Sequence, residues 1–381
     1  MTDTRIQRDI EIIPLVDLRI QHREVSSEVA AGWVKVMTEG TFVLGPDVEA
    51  LEREFAAFSG VAHCVCVANG TDALELALRA RGVGTGDEVI LPANTFIATA
   101  EAVVRAGARP VLVDCDPEYL LIDPEKVADR LGRRTRAVIA VHLYGQMAPM
   151  EAVSSVVTNG VDVVEDAAHS HGASRRGRDS GSVGVIAGTG FSPGMNLGAY
   201  GDAGAVLTND RWSADWVRAL RNHGGTRKDK HELAGMSSRL DTLQAVVLRA
   251  KLRRLTAWNE ERSVAAKNYD RLLGGESAIR LPATMSGNQH VWHRYVVRVP
   301  ERDRVLARLQ AAGVGAAVHY PGPLHRQRAL SGIGYRAGDF PAAEKAADEI
   351  LSLPLYPGIT EAQLERVATE LRTAVRLGAR R

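Results

Sequence analysis

Short runs of β-branched and small apolar residues alternate with amphipathic helical patterns through the first half of the chain, and few architectures accommodate that alternation. CVCVAN (64–69) precedes GTDALELALRARG, EVILPAN (88–94) precedes TFIATAEAVVRAG, and RPVLVDCD, RAVIAVHLYG and DVVEDAAH follow. Strands that are apolar along their length and separated by helices belong to a parallel sheet covered on both faces. The chain is therefore predicted to be α/β, with its ligand site at the carboxyl ends of the strands. Asn69, Asn94, Thr95 and Asp166 all follow apolar runs at such ends.

Two helical patterns organise the rest. In PDVEALEREFAAFSG, Val48, Leu51, Phe55 and Phe58 recur at three- and four-residue spacings, and Gly60 suits the C-terminal cap. A longer pattern begins near Leu240. Leu240, Leu243, Val247 and Ala250 make one stripe, and Leu248, Leu252 and Leu255 a second. A long helix apolar on more than one side suits a bridge from a large domain, residues 1–250, to a smaller α+β domain, residues 251–381. In the latter, HRYVVRVP (293–300) and AAVHYP (316–321) read as strands and ERDRVLARLQAAG as a helix.

Charge excludes some partners. Lysine and arginine total 47 against 46 acidic residues, a net charge of +1, which gives no reason to expect nucleic acid or an anionic membrane. No apolar run of about 18 residues appears, and the first residues do not resemble a signal peptide. The three cysteines, Cys64, Cys66 and Cys115, are too few for a disulfide framework. They point to a reduced, cytoplasmic protein, with Cys64 and Cys66 as buried core thiols.

Three segments carry candidate chemistry. In ANGTDALELAL, Gly70 and Thr71 open a helix after a strand, where free N–H groups suit a phosphate; Thr71 as an ordinary helix cap is the structural alternative. Phe96, in PANTFIATAEA, opens the next helix, where an exposed ring could stack on a planar ligand or simply join the core. VEDAAHSHGA ends a strand in Asp166, placed to pair a pyridinium nitrogen, and then supplies His169 and His171. Two histidines two residues apart also fit a metal site, but no third ligand accompanies them, and no metal is expected.

Together with GTFVLGPDVEALEREFA, NLGAYGDAGAVLTND, RNHGG, SRLDTLQAVVL and HYPGPLH, these segments resemble the DegT/StrS family of aminotransferases in order and spacing, from about residue 13 to about residue 352. The family acts on nucleotide-linked keto sugars. The resemblance implies a type I aminotransferase fold, pyridoxal phosphate chemistry, a small-molecule substrate, and a homodimer with active sites at the subunit interface. It places Gly70 and Thr71 at the cofactor phosphate, Phe96 against its ring, Asp166 at the ring nitrogen and His169 beside the ring hydroxyl. His223, Arg239, His319, Tyr320 and His325 fall where substrate could be contacted.

Three positions depart from the family pattern. The cofactor loop normally reads Phe-Ser-Phe-(Tyr/His)-Pro-x-Lys-Asn-Leu-Gly, and residues 189–198 here read TGFSPGMNLG. The imine-forming lysine thus falls on Met195 and the phosphate-binding serine on Gly190. In GMSSRL, Ser237 replaces an asparagine that reaches the partner subunit's phosphate. A thioether neither forms an imine nor carries a proton, so no covalently bound cofactor is expected, while noncovalent pyridoxal or pyridoxamine phosphate stays open. Lys228 and Lys230 lie in the loop that follows RNHGG, from which one could in principle reach a neighbouring site. The favoured reading is acid/base chemistry on a sugar or small ketone through Asp166 with His169 or His171, without the cofactor. The alternatives are a non-catalytic partner protein built on an aminotransferase scaffold, and a sugar aminotransferase whose lysine was deliberately replaced.

Overall fold

A computed structural model describes residues 11–158, 160–227 and 229–378. Seven strands form the central sheet: β1 (His63–Val67), β2 (Glu88–Pro92), β3 (Arg109–Val113), β4 (Thr135–Val141), β5 (Asp162–Asp166), β6 (Ile186–Gly190) and β7 (Gly204–Thr208). Their spatial order is β1-β7-β6-β5-β4-β2-β3. Pairing is parallel from β3 to β6; β7 runs antiparallel to both β6 and β1. The strands are buried along nearly their whole length, as their continuous apolar sequences require.

Helices cover the sheet. Helix α1 (Leu18–Glu39) precedes α2 (Pro46–Phe58), which packs Val48, Leu51 and Phe55 inward; Ser59 caps it and Gly60 follows in the left-handed region at φ 64°. Helix α3 (Gly70–Ala80) follows β1, and α4 (Ile97–Arg105) follows β2 with Phe96 at its N-cap. Asn69, rather than Thr71, caps α3: its side-chain oxygen accepts the Asp72 N–H at 2.8 Å. Cys64, Cys66 and Cys115 are free and buried.

The predicted bridging helix is two helices, α5 (Thr242–Leu252) and α6 (Leu255–Leu273). The break falls at Arg253 and Arg254, both of which pair with Glu28 of α1, and Arg254 also reaches toward Glu24. The C-terminal half of α6 joins a separate core with β8 (Tyr295–Arg298), α7 (Arg302–Ala311), β9 (Ile350–Leu353) and α8 (Glu361–Gly378). Ile13 belongs to this second core, so the chain's early segment crosses to it. HRYVVRVP and ERDRVLARLQAAG form β8 and α7 as the sequence predicts. AAVHYP contributes only one bridge, Ala317 to Ser352. Beyond that bridge the His319 carbonyl accepts the Tyr144 hydroxyl at 2.5 Å instead of a strand partner. Among the described residues no helix is long and apolar enough to cross a membrane.

Candidate active site

A cavity of about 340 Å³ opens at the carboxyl ends of the strands. The ends of β1, β2, β4, β5 and β6 each contribute to its wall, through Asn69, Thr95, Val141, Asp166 and Gly190. Gly70 and Thr71, the first residues of α3, form one side, and Phe96 and Tyr320 another. Their rings lie 5.0 Å apart at 34°, and Phe96 remains half exposed. Met195 and Asp202 complete the rim.

Backbone contact explains one feature of this wall. A Cβ on Gly190 would stand 3.1 Å from the Gly70 Cα, and one on Gly70 only 2.9 Å from the Gly190 Cα. The start of α3 and the end of β6 therefore touch main chain to main chain, and glycine on both sides permits it.

Asp166 is the buried charge of the cavity. One carboxylate oxygen accepts the Thr99 hydroxyl at 2.8 Å and the other the Ala168 N–H at 3.3 Å. The Thr95 and Thr99 hydroxyls bond to each other at 3.0 Å. Burial pushes the Asp166 carboxyl above its ordinary range, against the lowering effect of those hydrogen bonds. Neighbouring Glu165 points the other way and is fully buried. It accepts N–H bonds from Gly181, Val183 and Gly184 at 2.9, 2.8 and 2.6 Å. His142 Nδ1 accepts the Ala148 N–H, so its Nε2 carries the proton donated to Glu165 at 2.7 Å. Burial works against ionised Glu165, but these bonds outweigh it and hold the carboxyl below its usual range.

The histidines separate. His169 lines the cavity with its ring stacked on His293, centroids 4.3 Å apart. Its Nδ1 accepts the Tyr144 N–H and its Nε2 faces the Tyr320 hydroxyl, both at 3.4 Å. Burial lowers its pKa to about 3, so the ring is neutral. His171 does not line the cavity. Its Nδ1 accepts the Leu197 N–H, its Nε2 donates to Thr189 at 2.8 Å, and its ring packs against Phe55 and Phe191. Neither histidine hydrogen-bonds Asp166, whose bonds go to Thr99 and the Ala168 N–H. The turn after β5 spends both nitrogens of His171 on the opposite side, so the structure does not assemble the Asp–His pair expected from VEDAAHSH.

Of the remaining candidates, only Tyr320 lines the cavity. His319 bonds Ser352 at 2.9 Å, and His325 donates to Glu344 at 2.9 Å. His223 is exposed, with its carbonyl bonded to His231. Arg239 bonds the Ser237 hydroxyl at 3.1 Å. No lysine lines the cavity among the described residues. Lys228 lies outside the described residues, and Lys230 pairs with Glu232 at 2.8 Å. Lys251 is buried, donates to the Gly198 carbonyl at 2.6 Å and lies over the Tyr200 ring. Sequence reasoning missed Thr99 and Asp202. Thr99 had a signal, since it lies one helical turn beyond Thr95.

A mostly parallel sheet with one antiparallel strand, a second α+β core and a strand-end cavity centred on a buried aspartate define an aminotransferase-like protein of the type I fold. The chain belongs to the DegT/DnrJ/EryC1/StrS aminotransferase family, which matches residues 24–372. It is 42% identical to the dTDP-3-amino-3,4,6-trideoxy-alpha-D-glucose transaminase of Streptomyces venezuelae, over 94% of this chain and 95% of that one. Among solved structures, DesV of S. venezuelae in complex with a ketimine intermediate matches with a TM-score of 0.93 and 42% identity, covering 95% and 98% of the two chains. NtdA of Bacillus subtilis with bound cofactor PMP matches at 0.89 and 30% identity, covering 97% and 86%.

Proposed function

We propose that the chain acts in sugar biosynthesis on a nucleotide-linked keto sugar or a related small ketone, and that it binds its ligand without a lysine imine. Asp166, rather than residue 195, handles the proton. The observation that carries this is Met195 on the wall of an open cavity that also holds Asp166. A lysine in that place would act as nucleophile and proton carrier. The methionine thioether has no proton to give. Asp166, held toward its protonated form by burial, can give its proton to a carbonyl oxygen and, ionised by that transfer, take one from the adjacent carbon, converting ketone to enol. His169 stays neutral and orients rather than titrates. Phe96 and Tyr320 form one wall of the site.

A second reading, noncovalent pyridoxal or pyridoxamine phosphate, is favoured by one observation: the buried Asp166 carboxylate has hydroxyl and N–H partners but, among the described residues, no cation. The residues present fit the group. Asp166 would face the ring nitrogen, Phe96 the ring, and the Gly70 and Thr71 end of α3 the phosphate. When bound, such a cofactor supplies an electron sink for a developing carbanion. Gly190 and Ser237 would hold the phosphate less firmly than the serine and asparagine of the family pattern. The exposed apolar residues Val34, Met37, Phe42 and Val43, close in sequence, support the homodimer reading, which size-exclusion chromatography with light scattering tests.

The functional test is an absorbance spectrum with pyridoxal phosphate before and after dialysis. The proposal expects free-cofactor absorbance that dialyses away; an imine band that survives dialysis would refute it.

A further inference from the structure

Two threonine hydroxyls link Asp166 to a second point on the cavity wall. Thr95 follows β2, and Thr99 lies in the first turn of α4. Thr95, Thr99 and Asp166 all line the cavity, and all three are buried. The Thr95 and Thr99 oxygens are 3.0 Å apart, and the Thr99 oxygen is 2.8 Å from Asp166 Oδ2. Among the described residues neither hydroxyl has another hydrogen-bond partner.

The protons available fix the direction of this chain. A hydroxyl carries one hydrogen, and an ionised carboxylate none. While Asp166 is ionised, only the Thr99 hydrogen can fill the contact with Oδ2, so Thr99 accepts from Thr95. Thr95 then offers the cavity lone pairs alone. Oδ1 is held as an acceptor by the Ala168 N–H, so a proton on the carboxyl belongs on Oδ2. Protonation there turns every bond round. Oδ2 donates to Thr99, Thr99 donates to Thr95, and Thr95 has its hydrogen free for the cavity. Neither threonine becomes charged in either state.

We propose that Thr95 delivers the Asp166 proton to the carbonyl oxygen of the ligand, with Thr99 as the link between them. This rests on the keto-sugar reading above. The Thr95 hydrogen moves to the carbonyl oxygen, the Thr99 hydrogen to Thr95 and the Oδ2 hydrogen to Thr99. The carboxylate so formed takes the proton from the adjacent carbon, and the electrons of that C–H bond become the carbon–carbon double bond of the enol. Asp166 ends protonated, and each threonine ends with one hydrogen. One carboxyl thus acts as an acid through Thr95 and as a base at its own position. Thr95 is a catalytic residue in this step, and Thr99 a positioning residue that acts through its two neighbours.

Proton NMR of dTDP-4-keto-6-deoxyglucose in heavy water, which follows exchange of the hydrogens beside its ketone, tests the relay. The wild type should exchange them faster than the protein-free solution. Thr95→Val and Thr99→Val, which remove a hydroxyl and keep the branched shape, should each lower the maximal rate by about ten-fold or more. Thr95→Ser, which keeps the hydroxyl, should restore most of the loss. Urea denaturation checks folding, and alanine serves where valine does not fit. A Thr99 that only stabilised ionised Asp166 would shift the pH profile and leave its maximum unchanged. Unchanged maxima in both valine variants, or a loss in Thr95→Val alone, overturn the relay; the keto-sugar reading then stands if Asp166→Asn abolishes exchange. Exchange that survives Asp166→Asn, or none with the wild type, overturns both.

Discussion

An Asp166→Asn variant should be more stable than the wild type at neutral pH, by an amount that depends on pH. An ionised carboxylate in a dry site costs several kcal/mol after the protein relaxes, and each hydrogen bond to it returns about 1.5–3 kcal/mol. Asp166 has one short bond, from Thr99, and one long one, from the Ala168 N–H. These do not cover the cost, so the amide should gain about 1–3 kcal/mol. Burial raises the folded-state pKa above the ordinary aspartate value of 3.8. The wild type therefore keeps its full stability from this group below pH 3.8 and loses it as pH rises through the folded value. The advantage of asparagine should be absent at pH 3.8 and below, grow above it, and then level off. Urea denaturation of both proteins at pH 4, 6 and 8 measures it. Equal stability at pH 8, or a more stable wild type, would refute the reasoning and mean that a cation faces Asp166.

Other perturbations follow from the same geometry. Gly70→Ala puts a Cβ 2.9 Å from the Gly190 backbone. It should cost about 1–3 kcal/mol and weaken binding of any phosphate ligand; calorimetric titration with pyridoxal phosphate and urea denaturation read the two effects. Glu165→Ala strands three N–H groups and His142 in the core. A loss of about 3–5 kcal/mol is expected, and a loss well under 1 kcal/mol by urea denaturation would contradict the buried geometry. His169→Gln should change ligand affinity but not its pH profile between pH 5 and 8, because a group with a pKa near 3 does not titrate there. A profile that flattens in the variant would show that His169 is charged in that range.

The sheet was legible because its strands are buried on both faces, and such strands announce themselves as unbroken runs such as VILP and VVED. The strand-end location of Asp166, Thr95 and Gly70 followed from the same pattern. The break between α5 and α6 was not legible, since Leu240 to Leu255 keeps helical spacing while Arg253 and Arg254 respond to Glu24 and Glu28 more than 200 residues earlier. His171 misled for a related reason. Its spacing from His169 suggests a shared face, but that holds only within a strand, and β5 ends at Asp166.

The central claim is that residue 195 decides whether this cavity holds a ligand covalently. The direct measurement is intact-protein mass after incubation with pyridoxal phosphate and reduction with borohydride, for the wild type and for Met195→Lys. The account predicts no specific adduct on the wild type and one adduct, located at residue 195, on the variant. A wild-type adduct at a single lysine, or a folded Met195→Lys protein that forms none, would contradict it.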